Sequence, residues 1–112
     1  MLGCDIIEIE RVRSGYEKYG KRLLCRILTP AEQEIFFKRN ESMAFLAGRF
    51  AAKEAVAKSH RTGIGKLAFT DIEILPDELG APVITLRGEA PMGAEISISH
   101  SRDYAMAVYV QI

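Results

Sequence analysis

The alternation and clustering of apolar positions predict a strand followed by helical segments in the first part of the chain. Residues 2–9, LGCDIIEI, are β-branched and apolar, which favours a strand. Residues 11–27, RVRSGYEKYGKRLLCRI, are basic and tolerate a helix, although Gly15 and Gly20 weaken it. The N-terminal part is therefore expected to be one strand and one basic helical segment.

Start signals for two further helices stand in the middle of the chain. The first helix is expected over 29–39 because a capping box is combined with a proline at the first helical position. These signals are Thr29, Pro30 and Glu32. The second is expected from 40 to Ala57 or beyond, with Asn40 and Ser42 as possible caps.

The last third of the chain predicts four strands. Residues 69–75 and 81–86 flank the turn PDELG and are expected to form a hairpin. Residues 94–100 and 104–110 are expected to be two further strands, joined by a short SRD turn. One N-terminal strand, two or three helices and an antiparallel meander make this an α+β fold.

The size and composition indicate one globular domain spanning residues 1–112. The chain is 48% hydrophobic and 27% charged, and no apolar run approaches the length of a membrane span. Fifteen basic residues balance fifteen acidic ones, so the chain lacks the overall positive field of a nucleic-acid binder. We expect no membrane and no nucleic-acid partner.

The N-terminus and the cysteines indicate a cytoplasmic protein. Asp5, Glu8 and Glu10 interrupt the first apolar stretch, so it does not resemble a signal peptide. Cys4 and Cys25 fit no metal-ligand spacing, and in a reducing compartment we expect them to be small buried hydrophobic residues without a disulfide.

Four charges stand in the otherwise apolar segment AGRFAAKEAVAK, residues 47–58. At 100° per residue, Glu54 falls near the middle of the apolar stripe, with Lys58 beside it. Arg49 and Lys53 lie four residues apart at the stripe's boundary. A carboxylate buried without a partner costs several kcal/mol or more, so Glu54 must be paired, protonated or bound to a metal.

Three explanations for Glu54 compete: an ion pair, a protonated carboxyl and a metal site. An ion pair from Glu54 to Lys58, four residues on, would satisfy both charges without any function. A metal site would need a second oxygen ligand, and Asp5 lies unexpectedly inside an apolar strand. Asp5 itself could alternatively sit at a bulge and reach solvent, helped by Gly3.

Two carboxylates without a histidine or thiolate cluster suit a hard cation such as Mg²⁺, which commonly also binds substrate phosphates. Phosphate-binding charges are available nearby: Arg49, Lys53, Lys58 and Lys66. A loop with Gly63 and Gly65 could bring backbone N–H groups to a phosphate, although its spacing is not that of a P-loop. His100 ends a strand and is either a turn residue or a donor to phosphate alongside Ser99 and Ser101.

With these residues assembled, the chain resembles the holo-(acyl-carrier-protein) synthases, the small 4'-phosphopantetheinyl transferases, from end to end. The motifs that carry the resemblance are GCDIIEIERV, RILTPAE, FLAGRFAAKEAVAK, TGIG, FTDIEIL, the GAP turn and ISISHS. The long helix motif is highly specific. Arg61, before the Thr-Gly of the loop, and Ala81 depart from the family pattern.

The resemblance implies an enzyme of fatty acid biosynthesis and lipid metabolism that transfers phosphopantetheine from coenzyme A to a serine of apo-acyl carrier protein. It implies Mg²⁺ bound by Asp5 and Glu54, catalysis by Glu54 and Lys58, and release of adenosine 3',5'-bisphosphate. Glu54 acting through a metal-bound water is our interpretation of the base. The implied coenzyme A contacts are Arg49, Lys53, Lys58, Thr62, Gly63, Ile64, Gly65, Pro82, His100 and Ser101.

The resemblance also implies an architecture and a docking partner. The fold would be an antiparallel sheet packed against a long buried helix, in a homotrimer with active sites between subunits. Acyl carrier proteins are acidic, so a basic patch is the expected docking surface. Its residues are Arg11, Arg13, Arg22 and Arg26.

Two other functions are weighed against transfer. A non-catalytic module that binds coenzyme A or acyl carrier protein could have lost transfer through Arg61, but Asp5 and Glu54 argue against it. A helix-turn-helix DNA binder is suggested by the closely spaced helices. It is disfavoured because the second helix is too apolar to read bases.

Overall fold

The computed structural model describes residues 1–60 and 67–112 and has the predicted α+β fold with antiparallel sheets. The described residues form four α-helices, where two or three were predicted. The predicted helices and strands are present, with the differences given below. The elements are β1 Leu2–Glu8, α1 Ile9–Tyr19, α2 Lys21–Ile27, α3 Pro30–Lys38, α4 Met43–Ser59, a short 3₁₀ helix Phe69–Asp71, β2 Ile72–Pro76, β3 Pro82–Leu86, β4 Ala94–His100 and β5 Tyr104–Gln111.

The strands form two sheets rather than one meander. β2 and β3 make the predicted hairpin, whereas β5 pairs with both β4 and the N-terminal strand, in the order β1–β5–β4. The register places Asp5 opposite Ala107, and Ala107 opposite Ile98. The predicted meander is present only as its two hairpins, β2–β3 and β4–β5, because β3 does not pair with β4. The pairing of β5 with β1 joins the two ends of the chain and leaves no local signal in the sequence.

The basic segment after β1 is two helices, not one. Gly20 separates α1 from α2 with a φ of 55°, a left-handed conformation that a residue with a side chain adopts at a cost. The segment 69–75 also differs from its prediction, since its first three residues form the 3₁₀ turn. Asp71 accepts a hydrogen bond from the Ala68 N–H at 2.8 Å, which favours a turn over an extended start.

Both predicted helix starts in the middle of the chain are confirmed. The Thr29 hydroxyl accepts from the Glu32 N–H at 3.3 Å, and the Glu32 carboxylate accepts from the Thr29 N–H at 2.8 Å. Ser42 is the N-cap of α4 and accepts from the Phe45 N–H at 3.1 Å. These caps depend on residues within four positions of each other, so a single sequence reveals them.

Helix α4 joins the two hydrophobic clusters of the core. Its first half packs with α1, α2 and α3 around Phe36, and its second half packs with β2, β3 and β5 around Ile74 and Tyr109. Eleven of its seventeen residues are buried. Among the described residues, no helix is long and apolar enough to cross a bilayer.

Gly3 sets how closely β1 approaches α4. A Cβ at this position would lie 1.8 Å from the carbonyl oxygen of Ala55 and 3.0 Å from the backbone nitrogen of Ser59. Only a residue without a side chain allows this contact between strand and helix. The same contact brings the following residues of β1 against the last two turns of α4.

The other face of the three-stranded sheet is exposed and apolar. We call it the outer sheet face, and its exposed large apolar side chains are Leu2, Ile6, Tyr104, Met106 and Val110. The prediction that both cysteines are buried was wrong: Cys4 and Cys25 are exposed, and neither forms a disulfide. Cys4 belongs to the outward-facing positions of β1 because side chains alternate along a strand.

We expect Gly3→Ala to lower the free energy of unfolding by about 3 kcal/mol, because the added methyl group overlaps the Ala55 carbonyl. Urea denaturation measures the change. Gly15→Ala is the matched control, since its Cβ would meet only Leu23 at 3.5 Å and should stabilise α1 by about 0.5 to 1 kcal/mol. A Gly3→Ala variant as stable as the original chain would contradict the close approach.

Candidate active site

Asp5 faces helix α4 from the middle of β1. Side chains alternate along β1, with Gly3, Asp5 and Ile7 turned toward α4. The Asp5 side chain is 13% exposed, and its residue pairs with Ala107 in an uninterrupted ladder. The alternative in which Asp5 escapes to solvent at a bulge is therefore wrong.

Lys58 bridges from α4 to this carboxylate. Its Nζ donates to Asp5 Oδ1 at 2.8 Å across the contact between helix and strand. Within the described parts of the chain, no ion pair joins Lys58 to Glu54, so the expected local pair is replaced by one that links distant segments. Glu54 and Lys58 nevertheless lie one turn apart on the same face of α4. We call the group Asp5, Glu54 and Lys58 the carboxylate seam.

Glu54 is the member of the carboxylate seam whose charged form is destabilised. Burial raises the pKa of the Glu54 carboxyl above its usual range, and the nearby negative charge of Asp5 raises it further, while Lys58 lowers it. The hydrogen bond to Asp5 raises the pKa of Lys58, which therefore stays protonated. The seam holds two acidic groups that are close enough to repel each other. Its one cation, Lys58, links two distant segments of the chain.

The donor chemistry of the seam fits a hard divalent cation. Carboxylate oxygens, without histidine or thiolate, are the ligands that Mg²⁺ prefers. Burial and the Asp5 charge raise the pKa of Glu54, and positive charge bound here would offset both effects. In residues 1–60 and 67–112, no group of three or more acidic, histidine or cysteine side chains could hold a metal. Remaining coordination positions would thus be filled by water and by a bound ligand.

Lys53 lies in a different place from the one predicted for a ligand-binding cation. It is fully buried, and its Nζ donates to Glu32 Oε1 and to the Ile27 carbonyl, both at 2.6 Å. A group in this position does not reach a ligand at the surface. Glu32, also fully buried, is the residue that sequence reasoning missed, because its capping role accounted for it completely.

Arg49 is also turned mostly inward. Its Nε donates to the Ile74 carbonyl at 3.0 Å, and its guanidinium lies over the Phe45 ring, 4.5 Å from the centroid. Burial lowers the pKa of Arg49 to about 10, so it remains charged at neutral pH. With 7% of its surface exposed, a contact with coenzyme A stays a prediction for this residue.

His100 lies at the end of β4, at the edge of the three-stranded sheet. The register sets it opposite Ala105, which is opposite Ile7, so it is on the same face as Asp5. Two strand spacings and two residues separate the backbones of His100 and Asp5, roughly 12 Å. His100 and Ser101 are exposed beside a cavity of about 270 Å³, and they do not contact the carboxylate seam within one chain.

Of the other predicted coenzyme A contacts, one lies within the residues that the structure describes and the others do not. Pro82 begins β3 and pairs with Pro76 in the hairpin. The remaining predictions fall on Thr62, Gly63, Ile64 and Gly65, and on the neighbouring Arg61 and Lys66, all of which lie outside the described residues.

A groove of about 890 Å³ lies next to the predicted docking residues. Arg22 and Arg26 line it together with apolar residues of α2, α4 and the 3₁₀ turn. Phe50, one turn before Glu54 on the same helix face, forms part of its wall and stacks edge-on with Phe69. The groove therefore reaches α4 one turn before Glu54, which is not among its lining residues.

The predicted docking residues on α1 lie apart from this groove. Arg11 is exposed, and Arg13 pairs with Glu10 at 3.1 Å. An exposed pair of this kind contributes little to stability and is easily exchanged for another partner.

Comparison with known proteins identifies relatives along nearly the whole chain. The profile of the 4'-phosphopantetheinyl transferase superfamily matches residues 1–109. The holo-(acyl-carrier-protein) synthase of Geobacillus kaustophilus is 50% identical over 112 residues, covering 97% of this chain and 85% of the relative. That of Geobacillus sp. WCH70 is 47% identical over 109 residues, covering 95% and 90%.

Solved structures of the same kind share the fold. The holo-(acyl-carrier-protein) synthase of Helicobacter pylori in complex with coenzyme A is 34% identical, covers 98% of both chains and has a TM-score of 0.86. The Bacillus anthracis enzyme in complex with CoA (3',5'-ADP) is 38% identical, covers 96% of this chain and 91% of its own, and has a TM-score of 0.82.

The electrostatics of the seam predict opposite responses to two substitutions. Asp5→Asn should lower the pKa of Glu54 because a repelling charge is removed, and Lys58→Gln should raise it because a stabilising cation is lost. Carbon-detected NMR titration of the Glu54 carboxyl measures both, with the exposed Glu78→Gln as a control that leaves this pKa unchanged. Shifts of the same sign in Asp5→Asn and Lys58→Gln would contradict the geometry.

Proposed function

This chain belongs to the 4'-phosphopantetheinyl transferase superfamily and, within it, to the holo-(acyl-carrier-protein) synthases, and we propose that it transfers 4'-phosphopantetheine from coenzyme A to a serine of apo-acyl carrier protein. The observation that carries the proposal is the carboxylate seam. It joins an acid from each of two distant segments, and family membership alone does not require that both acids be present and close in this chain.

Asp5 and Glu54 are the residues that would hold Mg²⁺. The ion would supply positive charge to a pyrophosphate, neutralising charge that develops during phosphoryl transfer. The fit rests on the donor set and on the raised pKa of Glu54. Omission of the metal is therefore expected to stop transfer while leaving the fold intact.

The reaction in this proposal is an in-line displacement. The serine oxygen forms a bond to the β-phosphorus of coenzyme A as the bond to the leaving oxygen breaks, which releases adenosine 3',5'-bisphosphate. Lys58, exposed over 55% of its side chain, can turn from Asp5 to a phosphate oxygen and stabilise the charge there. Positioning and electrostatics supply most of the catalysis in such reactions.

Glu54 is our choice for the group that takes the serine proton. Burial and the Asp5 charge raise its pKa, so before a cation binds its carboxylate is a stronger base than an ordinary surface glutamate. Glu54 lies one turn after Phe50, which lines the groove, so a carrier protein docked on α2 would approach it from that side.

The groove supports acyl carrier protein as the partner. Arg22 and Arg26 provide positive charge on its rim, α2 contains no acidic residue, and the groove wall is largely apolar. This combination suits an acidic, amphipathic surface, with the charges guiding association. Arg11 and Arg13 extend the basic surface along α1.

The outer sheet face supports a homotrimer. It exposes Leu2 and Ile6 at 63% each, beside Met106 and Val110 on the neighbouring strand. Contiguous apolar surface of this kind on a small chain is characteristic of subunit interfaces. His100, which lies away from the carboxylate seam of its own chain, would then complete a coenzyme A site together with the seam of a neighbouring subunit.

A non-catalytic module that binds coenzyme A or acyl carrier protein is the second candidate. The location of Arg61 beside the predicted loop favours it, since the family usually has glycine there. The presence of both seam carboxylates favours the enzyme, because a module without transfer chemistry has no need of two repelling acids. The exposed free cysteines fit a reducing compartment, and we place the reaction in the cytoplasm.

Incubation with apo-acyl carrier protein, coenzyme A and Mg²⁺ should add a phosphopantetheinyl arm to the carrier, detected by intact-protein mass spectrometry. Asp5→Ala and Glu54→Ala should each reduce the rate by about a hundredfold or more, because each removes a group that acts on the transition state. Glu78→Ala, at an exposed turn, is the control and should retain the full rate. Binding of coenzyme A without any gain in carrier mass would support the module instead.

Ile6→Glu is expected to reduce the assembled mass to that of a single chain and to lower transfer together with it. The reason is that a charge placed in an apolar interface is costly to bury. Multi-angle light scattering at micromolar concentration measures the mass. Leu79→Glu, at a residue that is 95% exposed and outside this face, should leave the mass unchanged. An unsubstituted chain that is already a monomer under these conditions would count against the trimer.

A further inference from the structure

A fully buried ion pair in the core takes no part in the chemistry proposed above. Lys53 and Glu32 have no exposed side-chain surface, and Lys53 Nζ lies 2.6 Å from Glu32 Oε1. Burial lowers the pKa of Lys53, and the charge of Glu32 opposes this shift. A buried pair is often no more stabilising than well-packed apolar side chains, so stability alone does not explain why the pair stands at this position.

The Lys53 ammonium lies at the C-terminal end of α2. Its Nζ donates to the carbonyl of Ile27, the last residue of that helix, at 2.6 Å. Carbonyls in the last turn of a helix lack partners within the helix and carry partial negative charge, so a cation there is favourable. Lys53 thus fixes the end of α2 from a neighbouring helix.

Glu32 completes the connection at the start of α3. Its Oε1 accepts from the Thr29 N–H and its Oε2 from the Ile74 N–H, both at 2.8 Å. A carboxylate in the first turn of a helix is stabilised by the partial positive charge there. The pair therefore joins the negative end of α2 to the positive end of α3 and also holds β2.

Helix α2 buries Leu24 and Ile27 in the core, whereas its N-terminal end lacks a side-chain cap. It is seven residues long, its N-cap is Gly20, no side chain caps it, and its first turn contains no acidic residue. Isolated helices of this length are not stable, so packing and end contacts determine where it lies. This helix carries Arg22 and Arg26 on the rim of the groove.

Lys53 and Glu54 are consecutive residues on α4 and point about 100° apart. We propose that the Lys53–Glu32 pair is a positioning device, which holds the docking helix α2 at a set distance from Glu54 so that a docked carrier presents its serine to the carboxylate seam. The inference rests on the proposed function. It assigns Lys53 to the carrier side of the reaction rather than to coenzyme A binding.

Steady-state kinetics of Lys53→Met separate these two roles. Removing the ammonium should lower kcat/KM for the carrier by about tenfold or more, since small misplacements are costly in phosphoryl transfer, and should leave KM for coenzyme A within about twofold. A rise in KM for coenzyme A with unchanged kinetics toward the carrier would overturn the inference. A wild-type chain without any transfer would instead contradict the proposed function itself.

A second variant keeps the test valid if Lys53→Met folds poorly, because Glu32 would be left unpaired in that chain. The double substitution K53M/E32Q removes both charges, retains a carbonyl acceptor near Thr29 and Ile74, and should show the same selective loss toward the carrier. Hydrogen exchange should also become faster in α2 than in α4 of this variant.

Ile84→Ala is the control for general destabilisation. Ile84 is buried in β3, away from α2, so its truncation should lower Tm to a similar extent through a cavity. Both KM values should then remain close to those of the original chain. Equal losses toward the carrier in Ile84→Ala and Lys53→Met would reduce the pair to a purely structural role and overturn the inference.

Discussion

The contact between Gly3 and the backbone of α4 is the constraint on which the rest of the site depends. Strand β1 lies so close to Ala55 that no side chain fits between them. Asp5, two residues along on the same face of the strand, is thereby brought to the turn of α4 that carries Glu54 and Lys58. A looser packing of strand and helix would leave the two acids too far apart to influence one another.

Helix α4, with eleven of its seventeen residues buried, carries charges toward two sides. Toward the interior, the loss of hydration at Lys53 is compensated by its ion pair with Glu32 and by the Ile27 carbonyl at the end of α2. Toward β1, Glu54 remains partly exposed with a raised pKa, ready for positive charge from a ligand. One side of the helix thus holds a balanced pair, and the other holds an excess of negative charge that Lys58 only partly offsets.

The features that could be predicted from the sequence are those determined by residues close together in the chain and those marked by a charge within an apolar pattern. The caps at Thr29 and Ser42 follow local rules, and the acids at Asp5 and Glu54 were recognisable because each interrupts an apolar pattern. The partner of Lys53 was not recognisable, since Glu32 lies 21 positions away and already has a local role. The joining of β1 to β5 was equally hidden, because strand pairing over such a separation depends on the complete fold.

The adjacency of Lys53 and Glu54 restricts how this helix can change during evolution. Adding one residue within the preceding turns of α4 would rotate every later residue by about 100°, so that Lys53 would point in the present direction of Glu54. Removing one residue would turn Glu54 into the present direction of Lys53. A substitution alters only one of these two residues, whereas an insertion or deletion would displace both at once. Length variation among relatives should therefore accumulate in the connecting loops and spare the stretch from Gly48 to Lys58.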